Sequence, residues 1–147
     1  MQVFYNSLYR QRLDEKRRLI IPAKWRPATE DFEFTLFIWP YSAIQKPYLL
    51  VLPPQPLKEL VDKLRAMAYS DTKADTLRRV LGKSSEQVIV DKGGRICLPE
   101  HMAVAAGIDK DVVLVGSWDR FEVWSPERYD AVSAIDDALS QEAFKLI

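Results

Sequence analysis

The 147-residue sequence has one cysteine and one histidine, and it contains no long hydrophobic run. A single cysteine excludes an internal disulfide, and Cys97 lies in an apolar segment where a small buried thiol is expected. A membrane-spanning helix needs about 18 or more consecutive apolar residues, and the sequence has no such run. The N-terminus also lacks the basic and apolar regions of a signal peptide. These absences predict a cytoplasmic protein with no membrane partner.

Groups for catalysis and metal binding are equally scarce. The only histidine is His101, and its nearest candidate partners, Asp91, Cys97 and Glu100, match no known ligand spacing. The sequence shows no histidine, cysteine or paired-carboxylate constellation of the kind that enzymes use. We therefore expect a protein that is not an enzyme and that uses no metal, cofactor or small-molecule substrate.

The formal net charge is zero, but the charges are unevenly distributed. Residues 10–26 carry seven basic and two acidic side chains, a local charge of +5, so the remainder of the chain carries −5. A local basic patch attracts polyanions, although the ordinary interpretation of a basic stretch is a solvated surface. Its basic residues are Arg10, Arg12, Lys16, Arg17, Arg18, Lys24 and Arg26.

A ten-residue pattern occurs twice. Residues 13–22 read LDEKRRLIIP and residues 90–99 read VDKGGRICLP, so both have an apolar residue, Asp, three residues, Arg, three apolar residues and Pro. The pattern predicts a polar turn followed by a short buried strand. Aspartate at the start of such a turn commonly accepts hydrogen bonds from backbone N–H groups two or more residues later. We expect Asp14 and Asp91 to close the turns, either leaving the basic side chains free or forming local ion pairs with Arg18 and Arg95.

The repeat extends beyond this motif. In each half, two apolar strands are followed by proline and a helix, and the predicted strands are residues 34–38, 48–52, 112–116 and 121–124. One half alone would bury little surface and leave exposed strand edges. The sequence therefore predicts two halves that interleave their strands in a pseudo-twofold, mainly β core with helices packed outside.

Three longer helices are predicted. The apolar spacing indicates a helix over residues 57–67 with Pro56 at its first position, and a second over residues 73–81 that ends at Gly82. A third helix begins after Ser125, which is expected to cap it, and residues 140–147 are expected to form a frayed or docking tail.

These motifs, the hairpin and the helices together resemble the MraZ family of bacterial transcriptional regulators, which carry two SpoVT-AbrB half-domains in tandem. The resemblance covers nearly the whole chain and implies a swapped-hairpin, AbrB-like β-barrel. It implies half-domains at residues 8–55 and 85–128, linking helices at 56–84, and a C-terminal helix and tail at 129–147. It also implies a ring of several copies at the nucleoid that binds double-stranded promoter DNA, at short direct repeats before its own division and cell-wall gene cluster.

The family form of the turn is Asp-x-Lys-Gly-Arg, which places the functional positions on Asp14, Lys16 and Arg18 and on Asp91 and Arg95. Lys92 follows Asp91 by one residue, whereas Lys16 follows Asp14 by two. Arg17 stands where the family has glycine, so we expect the first turn not to use a left-handed conformation there. The DNA-binding candidates are Arg10, Arg12, Lys16, Arg17, Arg18, Lys24, Arg26, Lys92 and Arg95.

The local charge favours the first turn as the DNA-facing one, with the second completing the barrel or a contact between subunits. Two alternatives remain open at the level of sequence. One is a non-catalytic oligomeric adaptor or scaffold that binds acidic partners. The other is an AbrB-type, antitoxin-like DNA binder, which the fused two-half layout disfavours.

Overall fold

The computed structural model describes residues 2–40 and 46–147, which form a mixed β and α fold. The strands are β1 (Leu8–Arg12), β2 (Arg18–Ile20), β3 (Glu33–Trp39), β4 (Tyr48–Leu52), β5 (Ser85–Ile89), β6 (Arg95–Cys97), β7 (Asp111–Gly116) and β8 (Phe121–Trp124). The helices are α1 (Pro54–Ala66), α2 (Thr72–Lys83), α3 (Glu100–Ala105) and α4 (Pro126–Phe144), with a 3-10 turn at Ala23–Trp25.

The strands of the two halves interleave. Six of them form one sheet in the order β1-β7-β8-β4-β3-β5, and β2 and β6 form a separate two-stranded ribbon. When each strand is replaced by its equivalent in the other half (β1 by β5, β2 by β6, β3 by β7, β4 by β8), the same sheet order results, read from the opposite edge. Four strand pairs join the two halves, namely β1–β7, β3–β5, β4–β8 and β2–β6. The predicted pseudo-twofold interleaving is confirmed, whereas closure into a barrel stays a prediction.

The main core lies between the large sheet and the ribbon. The ribbon contributes Leu19 and Ile96, which are almost fully buried, and the sheet contributes aromatic residues such as Phe34 and Phe121. Trp25 is completely buried among them, and its indole Nε1–H donates to the Asn6 carbonyl at 2.9 Å. Burial of these apolar side chains from both halves fixes the ribbon against the sheet.

Helices α1, α2 and α4 cover the other face of the sheet, while α3 packs into the main core through Met102. Because side chains alternate along a strand, Leu49 and Val51 of β4 face the main core, while Leu50 and Leu52 form a second cluster with residues of α1 and α2. On β7 and β8, Val113 and Trp124 form a third cluster with Val132 of α4. The predicted placement of the helices outside the strands is confirmed.

Several sequence-based details are wrong. Helix α1 begins at Pro54, so Pro54 and not Pro56 takes the first position. Helix α2 passes through Gly82 to Lys83, because Gly82 keeps a negative φ and the packing of Leu81 holds the last turn in place. Of the frayed or docking tail expected at residues 140–147, the frayed alternative is wrong, because α4 continues to Phe144.

Cys97 is exposed rather than buried. Its neighbour Ile96 points into the main core, so strand alternation turns the thiol outward.

Candidate nucleic-acid interface

The two repeated turns have the same backbone architecture. Oδ1 of Asp14 accepts from the backbone N–H groups of Lys16 and Arg18, both at 2.9 Å. Oδ1 of Asp91 accepts from those of Gly93 and Arg95, also at 2.9 Å. The prediction that the aspartates close the turns is confirmed.

The second oxygen of each aspartate holds an arginine. The Nε–H of Arg18 donates to Asp14 Oδ2 at 2.7 Å, and that of Arg95 donates to Asp91 Oδ2 at 3.1 Å. These bonds use only Nε, and within residues 2–40 and 46–147 the terminal nitrogens of both guanidinium groups have no hydrogen-bond partner. The local ion pairs therefore leave a planar donor fork on each turn.

The hydrogen bonds also fix the charge of the turns. The backbone N–H of Arg18 chiefly, and then its guanidinium, lower the pKa of Asp14 below its ordinary value. The backbone N–H and the charge of Arg95 lower the pKa of Asp91 in the same way. Both carboxylates are ionised at neutral pH, so each arginine keeps its partner there.

Both turns use the left-handed conformation. Arg17 has φ of +58°, and Gly94 at the equivalent position has φ of +75°. The expectation that Arg17 would avoid this region is wrong. A non-glycine residue is disfavoured there, so the surrounding hydrogen bonds must hold the first turn in place.

The cross-half hydrogen bonds of the turns are equivalent as well. The Arg17 carbonyl accepts from Leu98 N–H at 2.9 Å, and the Gly94 carbonyl accepts from Ile21 N–H at 2.8 Å. The Arg17 guanidinium Nε then donates back to the Leu98 carbonyl at 3.1 Å. At the second turn, where glycine offers no side chain, the Ile21 carbonyl instead accepts from Nε of Arg26 at 3.0 Å, a bond within the first half.

The ribbon presents the arginines on one surface. Arg18 pairs with Cys97 and Ile20 pairs with Arg95, whereas the intervening pair, Leu19 and Ile96, points into the core. Strand alternation therefore places the four outward side chains on one face, with the two arginines at diagonally opposite corners. We call this the ribbon face, made of Arg18, Ile20, Arg95 and Cys97.

Three candidates outside the turns have different surroundings. Arg10 lies on β1, where it contacts α4 through Asp130 at 3.6 Å and lies 5.9 Å from the Tyr129 ring centroid. Arg12 is exposed on the same side of that strand. Lys24 belongs to the 3-10 turn, and its Nζ is 2.6 Å from Ser7 Oγ.

Of the remaining candidates, Lys16 and Lys92 are exposed on the first and second turns. The structure thus brings Lys16, Arg17, Arg18, Lys92 and Arg95 together around the ribbon, with Arg26 against Gly94. It does not bring Arg10 to the ribbon, because that side chain is engaged with α4.

Sequence reasoning missed Gln11. Its side-chain amide pairs with the backbone of Ile20, with Nε2 donating to the carbonyl at 2.5 Å and Oε1 accepting from the N–H at 3.0 Å. These bonds join β1 of the sheet to β2 of the ribbon. The available signal was a polar residue at an inward-facing position of an alternating strand.

Two features are absent from the described part of the chain. Residues 2–40 and 46–147 contain no group of three or more His, Cys, Asp or Glu side chains arranged to hold a metal ion. Among the helices described, none has the length and apolar character that crossing a membrane requires.

Comparison with known proteins identifies relatives along most of the chain. A family model described as "MraZ protein, putative antitoxin-like" matches residues 83–145. A protein named Transcriptional regulator MraZ from Desulfitobacterium hafniense is 31% identical over 147 residues, which cover 95% of this chain and 94% of that protein. Proteins of the same name from Heliobacterium modesticaldum (31% identical over 128 residues, 82% and 80% covered) and Salinispora tropica (32% over 123 residues, 84% and 82%) also match. With similarity at this level over most of both chains, the protein belongs to the MraZ family of transcriptional regulators.

Proposed function

We propose that this protein regulates transcription by binding double-stranded promoter DNA through the ribbon face and its two flanking turns. The observation that carries the proposal is the pair of guanidinium groups of Arg18 and Arg95, each fixed through Nε and with no hydrogen-bond partner on its terminal nitrogens among the described residues. The major groove of B-DNA admits a two-stranded β-ribbon, and arginine binds a guanine edge through two parallel hydrogen bonds. A two-stranded ribbon that carries two such arginines suits this kind of contact.

The flanking lysines supply a different kind of contact. Lys16 and Lys92 are exposed on the turns beside the arginines. Lysine ammonium groups bind phosphate as point charges, and such contacts position a protein on DNA without reading its sequence. In this proposal the lysines set affinity and its salt dependence, while the arginines contribute to base preference.

The two turns are alike in geometry but unlike in charge. The first carries Arg17 beside Lys16 and Arg18, whereas the second has two glycines between Lys92 and Arg95. We therefore propose that the first turn makes the stronger DNA contact, and that the second contributes less or faces a neighbouring subunit. Arg10, Arg12, Lys24 and Arg26 are secondary candidates, because they lie outside the ribbon face.

Association of several copies in a ring is part of the proposal. One ribbon offers few phosphate contacts, and linked binding sites gain affinity without new contacts. Exposed apolar side chains at the end of α4, including Leu139 and Phe144, and the exposed pair Phe4 and Trp118 offer surfaces for such contacts. Short direct repeats in the promoter of the protein's own division and cell-wall gene cluster would then engage successive subunits in the cytoplasm, at the nucleoid.

We propose the half-domains as residues 8–55 and 85–128, joined by residues 56–84 and followed by 129–147. The support is that β1–β4 lie in the first range and β5–β8 in the second. Residues 41–45 of the first half-domain lie outside the described residues. The name of the relatives and this site favour a regulator without catalytic activity.

The test is a mobility-shift titration on DNA from upstream of the protein's own gene, with an equally long coding fragment as the non-specific control. The association constant is measured at several salt concentrations, and log K should fall against log salt with a slope of about −0.9 for each phosphate neutralised. Arg18→Ala should remove most of the preference for the promoter fragment. Arg18→Lys, which keeps the charge but not the planar fork, should retain non-specific binding and lose the preference.

Arg79→Ala is the matched control, because it removes one positive charge from an exposed position of α2. All variants are checked for folding by circular dichroism and for assembly by light scattering. If Arg18→Ala binds the promoter as well as wild type does, the ribbon face is not the DNA site. If wild type binds no DNA in a salt-dependent manner, an adaptor for acidic partners becomes the better interpretation.

A further inference from the structure

At both turns an arginine side chain donates a hydrogen bond to an equivalent backbone carbonyl, but the two arginines come from different positions in the sequence. At the first turn, Arg17 donates its Nε–H to the Leu98 carbonyl. At the second, the equivalent residue is Gly94, and Arg26 donates its Nε–H to Ile21, the equivalent of Leu98. The donor–acceptor distances are 3.1 and 3.0 Å, so the two bonds are matched in length as well as in partner.

Arg26 occupies the space that an arginine side chain at position 94 would need. A Cβ atom added to Gly94 would lie 2.6 Å from Nε of Arg26 and 2.8 Å from its Cζ. Gly94 is buried although it belongs to a surface turn, whereas the adjacent Gly93 is exposed. The Arg26 guanidinium therefore covers the second turn at Gly94, the position where the first turn has the Arg17 side chain.

The Arg17 bond joins the first turn to the second half of the chain, whereas the Arg26 bond stays within the first half and holds the Arg26 guanidinium against Gly94 of the second turn. Leu98 donates its N–H to the Arg17 carbonyl and accepts from the Arg17 side chain, so one residue is held at both its polar groups. Ile21 is held likewise between the Gly94 carbonyl and Arg26. Both residues lie one position beyond the ends of β2 and β6, where the ribbon supplies no further ladder bonds.

We propose that Arg17 and Arg26 are positioning residues, Arg17 through its hydrogen bond to Leu98 of the other half and Arg26 through its packing on Gly94 of the other half, and that they hold Arg18 and Arg95 in place on the ribbon face. The effect of these arginines on DNA binding rests on the proposed function, whereas their support of the two turns does not. The proposal assigns the phosphate and base contacts of the ribbon to Lys16, Arg18, Lys92 and Arg95, and it replaces the direct DNA contact that charge alone suggests for Arg17 and Arg26 with a supporting role. Arg17 and Arg26 then act on DNA binding only through turn geometry.

The structural part is tested by thermal unfolding of the full-length protein. Arg26→Ala should lower the melting temperature by about 3–10 °C, because it leaves a carbonyl near the core without its donor. Adding Gly94→Arg should recover most of that loss, since Arg17 demonstrates that arginine at φ near +58° reaches the equivalent carbonyl. Arg17→Ala should also lower the melting temperature, and alanine retains the unfavourable positive φ so that only the side-chain contact is removed.

Arg79→Ala again serves as the control for loss of one surface charge. The fastening role is wrong if Arg26→Ala unfolds at the same temperature as Arg79→Ala. It is also wrong if Gly94→Arg gives no recovery in the Arg26→Ala background while the single Gly94→Arg variant remains folded.

The salt dependence of DNA binding separates positioning from contact. Arg17→Ala and Arg26→Ala should weaken promoter binding and leave the slope of log K against log salt unchanged. Lys16→Ala should reduce the magnitude of that slope by about 0.9 for each turn engaged. If Arg26→Ala reduces the slope as Lys16→Ala does, Arg26 contacts phosphate and the positioning role falls. If wild type binds no DNA, the proposed function fails, while the melting temperatures still decide whether the arginines fasten the turns.

Discussion

Arg18 donates its Nε–H to Oδ2 of Asp14 at 2.7 Å, four residues away across the first turn. Arg95 and Asp91 repeat the contact at 3.1 Å in the second half of the chain. Because Oδ1 of each aspartate is already engaged with two backbone N–H groups, the carboxylate is fully used in closing the turn and orienting the arginine. The acidic residues of the motif thus shape the site, and the basic residues remain available for a partner.

Acid should weaken the fold through these two carboxylates. Their pKa values are lowered in the folded protein, so the stability they contribute is complete above the ordinary aspartate pKa of about 3.9 and is lost as the pH falls through the lowered values. The double variant Asp14→Asn, Asp91→Asn keeps an acceptor for the backbone N–H groups but cannot ionise. Urea unfolding should show it less stable than wild type at pH 7, with a difference that shrinks towards pH 2. A difference that is the same at both pH values would contradict this assignment.

The side chain of Gln11 should stabilise the joint between the sheet and the ribbon. Gln11→Leu has a similar size and removes both hydrogen bonds to Ile20, so we expect a loss of about 1–2 kcal/mol in the free energy of unfolding. Arg12→Ala, on the exposed side of the same strand, is the control and should change it by less than about 0.5 kcal/mol. Equal denaturant midpoints for Gln11→Leu and Arg12→Ala would contradict this, and would show that the two hydrogen bonds to Ile20 do not contribute to the free energy of unfolding.

Two glycines should respond to alanine in opposite directions. Gly82 lies inside α2 with open space around it, so Gly82→Ala should stabilise the protein by about 0.5–1 kcal/mol. A methyl group on Gly116 would overlap the backbone carbonyl of Tyr5, a residue held by two backbone hydrogen bonds to Trp118, and Gly116→Ala should destabilise by about 1–3 kcal/mol. Thermal or urea unfolding measures both. A stabilising Gly116→Ala would mean that the N-terminal segment is not held at Tyr5 in solution.

The sequence predicted the architecture well because its signals are local and occur twice. Period-two apolar segments identified most strands, and the repeated Asp-to-Arg spacing identified both turns. Burial arguments then required the halves to interleave, which the strand pairing confirms. Helix ends were predicted less well, since the ending of α2 depends on the packing of Leu81 rather than on the glycine after it.

The sequence predicted which residues belong to the candidate site, but it did not predict the contacts that those residues make. Charge counting placed Arg17, Arg18 and Arg26 in one basic segment, but it treated them as equivalent. Arg17 bonds to Leu98 of the other half, and Arg26 packs against Gly94 of the other half, two relations that no local pattern encodes. The exposure of Cys97 was missed for a similar reason, since only the strand register decides which face is outward.

By itself, the sequence determined that the chain contains two copies of a polar turn followed by a buried strand, that each copy needs the other to bury its apolar surface, and that the positive charge gathers at the first copy. These properties follow from residue spacing and composition. The tertiary structure alone decided which basic side chains hold the turns and which point outward, because that depends on contacts with residues distant in sequence, Leu98 for Arg17 and Gly94 for Arg26. It also decided that an arginine at position 17 adopts the conformation expected of glycine, since the contacts with the opposite half stabilise a backbone that the local sequence disfavours.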